Sequence, residues 1–115
     1  MKKPKVVCLC GSTKFKSHFE HANLAETLSG NIVLSVAWFG HADSDLWYPG
    51  NGEKLMLDEV HKRKIDLADE ILVINPFGYI GQSTRSEISY ARKQKKQVRF
   101  LYGTPRVENE VVAIC

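Results

Sequence analysis

The sequence lacks any apolar run long enough to cross a bilayer: its longest, such as Ile71–Ile74, are strand-sized, against the roughly 20 residues a transmembrane helix needs. No membrane span is expected. Charge of one sign is barely in excess, since 16 Lys and Arg against 13 Asp and Glu leave a formal net charge of +3, too little to mark a nucleic-acid binder unless it gathers on one face. Cysteine is scarce. The 3 cysteines cannot all pair, and Cys8 and Cys10, two apart in an apolar run, share one strand face without the spacing of a redox or zinc motif. Free thiols in a reducing cytoplasm are the expectation. Internal repeats, low-complexity stretches and domain linkers are also missing. Met1-Lys-Lys-Pro-Lys5 has the charge of a signal-peptide start, but the apolar segment behind it stops at Cys10 and gives way to Gly-Ser-Thr-Lys instead of a small-residue cleavage site. It reads as a solvated approach to a first strand.

What is present is an ordinary globular mix, 43% hydrophobic and 25% charged over 115 residues, with room for one domain spanning 1–115 and one core. The hydrophobic period switches repeatedly, as in a βα repeat. Val6-Val-Cys-Leu-Cys10 is a continuous apolar run, and Gly11 separates it from a helical pattern with Phe15, Phe19, Ala22 and Leu28 on one side. Gly30-Asn31 stops that helix and Ile32–Ala37 forms a second strand. From Trp38 to Gly52 there is no clean period, and a loop of that length in so small a domain is a candidate lid. Glu53–Ala68 reads as a helix with Leu57, His61, Ile65 and Ala68 inward and Lys62, Arg63 and Lys64 mostly outward. Glu70–Asn75 is a third strand, Ser83–Lys96 a third helix and Val98–Tyr102 a fourth strand; Val111–Cys115 fits an edge strand. The pattern predicts an α/β fold, a doubly wound parallel sheet of four or five strands in the order 2-1-3-4 between helical layers.

In such folds ligands sit outside the carboxyl ends of the strands, which selects three loops: Gly11-Ser12-Thr13-Lys14, Trp38 to Gly52, and Asn75 to Thr84. The third is the most informative, because Gly78-Tyr79-Ile-Gly81-Gln-Ser83-Thr84-Arg-Ser-Glu87 opens a helix whose free amides attract anions. Glu87 can be read in two ways. It fits a capping box with Thr84, and it fits a carboxylate facing a bound sugar one turn inside a helix at the ligand edge.

These segments carry a resemblance. Gly11-Ser-Thr after the first strand, Asp66-Leu-Ala-Asp-Glu-Ile-Leu-Val-Ile74 into the third, and Gly78 through Ala91 resemble the nucleoside 2-deoxyribosyltransferase superfamily over about residues 5 to 101. The short length is closest to its deoxynucleoside monophosphate N-glycosidases and small phage-type members. The resemblance implies a flavodoxin-like sheet, subunits that often pair, no cofactor, and cleavage or transfer at the N-glycosidic bond of a nucleoside or nucleotide by a glutamate nucleophile at Glu87. Two positions depart from the pattern: His61 stands where members carry an acid, and Asn75 ends the third strand where transferases carry Asp. Asp58 and Asp66 are nearby acids. Gly11, Ser12, Thr13, Asn75, Gly78, Tyr79, Gly81, Ser83 and Thr84 are the candidate sugar and phosphate ligands.

His61 suits proton transfer at neutral pH and equally suits a hydrogen-bonded core position. Trp38, Phe39, Trp47 and Tyr48 have the flat faces that stack a nucleobase, and serve equally for a dimer surface or a small core beneath the loop. No metal site is expected, since His18 and His21 share a helix face without a third ligand and Asp43-Ser-Asp45 reads as a turn. The basic runs 61–64 and 92–96 read as solvated faces, so nucleic acid is not the expected partner. A homodimer is expected, because so small a domain encloses a nucleotide poorly alone. The competing class is a nucleotide-binding or sequestering module without catalysis.

Overall fold

A computed structural model describes residues 3–40 and 47–103. The Asp43-Ser-Asp45 turn, the middle of the Trp38–Gly52 loop and the suggested edge strand at Val111–Cys115 lie outside the described residues. Strand β1 (Val6–Gly11), helix α1 (Lys16–Leu28), β2 (Ile32–Leu34), α2 (Asn51–Leu67), β3 (Glu70–Ile74), α3 (Gln82–Lys93) and β4 (Gln97–Phe100) follow one another along the chain. The sheet has four strands in the order β2-β1-β3-β4, and every pairing is parallel. The expected order is the observed one. Among the described residues no helix is long and apolar enough to cross a membrane.

Alternation along β1 builds the three layers, because successive side chains on a strand point to opposite faces. Val7 and Leu9 pack with Phe19, Ala22, Leu72 and Ile74 under α1. Cys8 and Cys10 face the other way, into a cluster with Ile65, Ala68, Ile71, Val73, Ile88 and Ala91 under α2 and α3. β3 is central and buried along its whole length. Leu28, expected inward, is exposed: it lies nine positions beyond Phe19, half-integral in turns of 3.6 residues, and so points to the opposite side of α1.

Two boundaries differ from expectation for identifiable reasons. β2 ends at Leu34, because Lys64 reaches across from α2 and donates to the Ser35 carbonyl at 2.7 Å, which removes that acceptor from the ladder and turns Val36 and Ala37 toward the loops. α3 ends at Lys93, and Lys95 adopts φ 61° while the Lys96 N–H donates back to the Ala91 carbonyl at 2.9 Å. That closes the helix in the manner usually given to glycine. Gly11 is required by packing, since a Cβ there would lie 2.8 Å from the Ile74 carbonyl oxygen. The close approach of β1 and β3 at that point places the loop after β1 beside the loop after β3.

Candidate functional site

The carboxyl ends of β1, β2 and β3 open into a cleft of about 430 Å³. Gly11, Ser12 and Thr13 form one rim, Val36, Ala37, Trp38, Tyr48 and Pro49 a second, and Tyr79, Gly81, Ser83 and Thr84 a third. α2 contributes Lys54, Asp58, His61 and Lys64, and Glu87 comes up from α3. The volume falls within the roughly 300–1,000 Å³ of ordinary small-molecule sites.

Each rim has a local cause. After β1 the Ser12 hydroxyl accepts from the Lys14 N–H at 3.3 Å and the Ser12 carbonyl accepts from the Phe15 N–H at 3.1 Å, which turns the chain tightly into α1. Lys14 then stands over the Tyr79 ring with Nζ 3.7 Å from its centroid, tying the first rim to the third. On the second rim the Trp38 indole lies against Gly40, and it meets Tyr48 and Trp47 edge to face at centroid distances of 5.5 and 6.1 Å. The Tyr48 hydroxyl donates to the Gly40 carbonyl at 3.2 Å. Where α2 begins, the Glu53 carboxylate accepts from the Gly50 N–H at 2.8 Å, and this fixes the helix that delivers Asp58 and His61.

The capping-box reading of Glu87 is not what the chain adopts. α3 starts at Gln82 with Gly81 as its N-cap, so Thr84 is already inside the first turn and Glu87 lies beyond it, free of capping duty. Its carboxylate faces the floor of the cleft with 13% of the side chain exposed, 4.0 Å from His61 Nε2, whose side chain is 7% exposed. Beneath them lie Cys10 Sγ and Cys8 Sγ, 3.5 and 3.7 Å from the same nitrogen.

Four ionisable groups buried side by side perturb one another. Burial pushes the Glu87 carboxyl up to about 7, against the pull of the His61 cation. Burial also opposes a charge on His61, but the hydrogen bond with Cys8 and the Glu87 carboxylate outweigh it and hold the imidazole above its ordinary 6.5. The Cys8 thiol is lowered to about 6, first by its hydrogen bond with Cys10. Cys10 is raised, because that same bond keeps its proton in place and burial disfavours its thiolate. Such shifts collect at functional sites.

Not every expected ligand reaches the cleft. Asn75 is buried and its amide is committed elsewhere: Nδ2 donates to the Tyr102 carbonyl at 3.0 Å and Oδ1 accepts from the Tyr102 N–H at 2.9 Å. Gly78 has φ 74° and serves the turn after β3. Trp47 packs on the outer side of Trp38, exposed, and does not line the cleft.

No protein-family model and no curated protein matches the chain. The residues that sequence reasoning missed are Cys8 and Cys10. Their i,i+2 spacing put both on one sheet face, and His61 was on the inner stripe of its helix; what the sequence did not supply was that α2 covers that same face. Lys64, taken as outward, is half-buried and spans from α2 to Ser35.

Proposed function

We propose that the cleft binds a nucleoside or nucleotide and that Glu87 cleaves its N-glycosidic bond, releasing the base to water or exchanging it for another. The observation that carries this reading is the Glu87 carboxylate at the cleft floor beside His61, free of the helix cap. An oxygen of Glu87 forms a bond to the anomeric carbon as the carbon–nitrogen bond breaks, and the electron pair leaves with the base. The base takes a proton from His61, the acid that α2 presents beside Glu87. Water then attacks the same carbon, its proton passes to the deprotonated partner, and the ester opens to regenerate the Glu87 carboxylate. Two inversions retain configuration. Trp38 and Tyr48 offer ring faces to the base, while the amides at the start of α3 and the Ser12, Thr13 and Ser83 hydroxyls suit sugar oxygens or a phosphate.

A binding module without turnover is the second reading, and one observation favours it: with its pKa near 7, a large share of Glu87 is protonated at neutral pH and attacks poorly. Incubation with a panel of deoxynucleosides and their monophosphates, followed by chromatography for free base, separates the two. Base release supports the enzyme; binding without release supports the module.

The same reading places the protein in the reducing cytoplasm, which suits the free thiols of Cys8 and Cys10, and as a homodimer joined near the ligand edge. Phe77 supports the dimer, being 96% exposed at φ 58° on the turn after β3. Pairing there would take an apolar ring out of water.

A further inference from the structure

Cys8, Cys10 and His61 bring three soft donors to one point. Sγ of Cys10 and Sγ of Cys8 lie 3.5 and 3.7 Å from His61 Nε2, and the three ligand atoms all fall within 4.8 Å of one another. A tetrahedral zinc ion, with bonds of about 2.3 Å to sulfur and about 2.0 Å to nitrogen, sets its sulfur and nitrogen ligands about 3.5 Å apart. Both sulfur–nitrogen spacings are already there, and the sulfur–sulfur spacing such an ion sets, about 3.8 Å, lies inside the 4.8 Å that bounds the three atoms. Both thiols converge on a single ring nitrogen, and among the described residues Cys8 has only the Leu9 carbonyl, at 3.9 Å, as a further backbone partner. The rigidity of the frame strengthens the point, because Cys8 and Cys10 are successive same-face residues of a strand paired on both sides through Cys8, and His61 sits in the middle of a 17-residue helix.

We propose that Cys8, Cys10 and His61 form a binding site for a thiophilic d10 cation, Zn2+ being the physiological case, with the fourth position open toward Glu87 and the cleft. Two thiolates and an imidazole are a donor set selective for such ions over Mg2+ or Ca2+, which take oxygen. Two thiolates also balance the charge of a divalent ion in a pocket with little water. The cysteines are buried, and His61 and Glu87 stand between them and the cleft they line. Glu87, with Oε1 4.0 Å from Nε2, is the carboxylate at hand on the cleft side to serve as the fourth ligand of a tetrahedral site. Insofar as the glycosidase reading holds, the metal-loaded protein has no free nucleophile, so the ion switches that site off.

The test needs no substrate. The chain has 3 cysteines, so in Cys115→Ser any thiolate ligand is Cys8 or Cys10. Metal-free Cys115→Ser, kept reduced with a phosphine, is titrated with Co2+ and followed by absorption, then displaced with Zn2+. The expected result is one ion per chain, an intense near-ultraviolet thiolate-to-cobalt band with visible bands of tetrahedral form, and loss of both on adding Zn2+. His61→Gln in the same background should weaken binding at least tenfold, with far-ultraviolet dichroism confirming the fold. Absence of the charge-transfer band in Cys115→Ser overturns the site, and so does a band that survives His61→Gln at full strength and affinity. Failure here leaves base release untouched, and failure of the substrate panel leaves the cobalt spectrum untouched.

Discussion

The Glu87 carboxylate and the His61 imidazole, carried by different helices, meet 4.0 Å apart at the floor of the cleft. Helix α3 is capped at Gly81 and not at Thr84, so this carboxylate has no part in stopping the helix from fraying.

That separation makes Glu87→Gln a clean test. The amide keeps the shape and loses the attacking charge, so base release from any substrate found by the panel should fall by at least about a thousandfold, ~4 kcal/mol of barrier, while the melting temperature stays level or rises as a buried carboxyl becomes neutral. Chromatographic rates and a thermal melt check both halves. Turnover at the wild-type rate would remove Glu87 from the mechanism.

Trp38 lines the cleft and Trp47 does not, although they touch. Trp38→Ala should weaken nucleotide binding about tenfold, within the ~1–3 kcal/mol that stacking a base on an aromatic ring contributes, and Trp47→Ala far less. Calorimetric titration with deoxynucleoside monophosphates distinguishes them. Equal losses would mean that the pair acts as one packing unit and not as a base platform.

Phe77, at φ 58°, is the residue to change for the oligomer. Phe77→Asn tolerates the left-handed conformation better and removes the exposed ring, so light scattering at micromolar concentration should show the wild type as a dimer and the variant shifted to monomer. The variant's melting temperature should not drop by more than dissociation explains. A wild-type monomer under these conditions refutes pairing.

Acid sensitivity should come from Glu70, whose side chain is 1% exposed at the start of β3 and is held by Lys5 at 2.8 Å and by Arg99. Burial works against its charge, but the hydrogen bonds from Lys5 and Arg99 prevail and its pKa lies below the ordinary 4.5. A lowered folded value means the stabilisation is complete above 4.5 and is lost as pH falls from there through the folded value. Glu70→Gln should therefore cost about 2 kcal/mol at pH 7, and the gap between variant and wild-type melting temperatures should close below pH 4.5. A gap independent of pH would show that packing, not charge, is what Glu70 supplies.

The sequence was most legible where one period dominates. Strand-sized, mostly apolar segments starting at Val6, Ile32, Glu70 and Val98, each followed or preceded by a helical pattern, were enough for a parallel sheet in the order observed. It was least legible where a distant partner decides. Nothing near Ser35 announces that Lys64 takes its carbonyl, and no glycine marks the end of α3, because Lys95 adopts the positive φ itself. At the site, the glycine-hydroxyl loops followed from strand ends and His61 from the inner stripe of its helix, whereas spacing alone left Glu87 between a cap and a ligand-facing carboxylate and only the resemblance gave it a chemical role. The cysteines beneath them needed the helix layer in three dimensions, because a Cys-x-Cys on a strand is a motif only once something opposite completes it.

The amide of Asn75 imitates a peptide group, presenting one donor and one acceptor to Tyr102 as a neighbouring strand would, and so adds a rung between the ends of β3 and β4 beyond the last true pair. An aspartate there would set a carboxylate oxygen against the Tyr102 carbonyl, acceptor against acceptor. An acid at this strand end is thus not a one-residue graft: the backbone at Tyr102 would have to be rerouted first, because the polar group of Asn75 is a stitch in the sheet and not a group offered to the cleft.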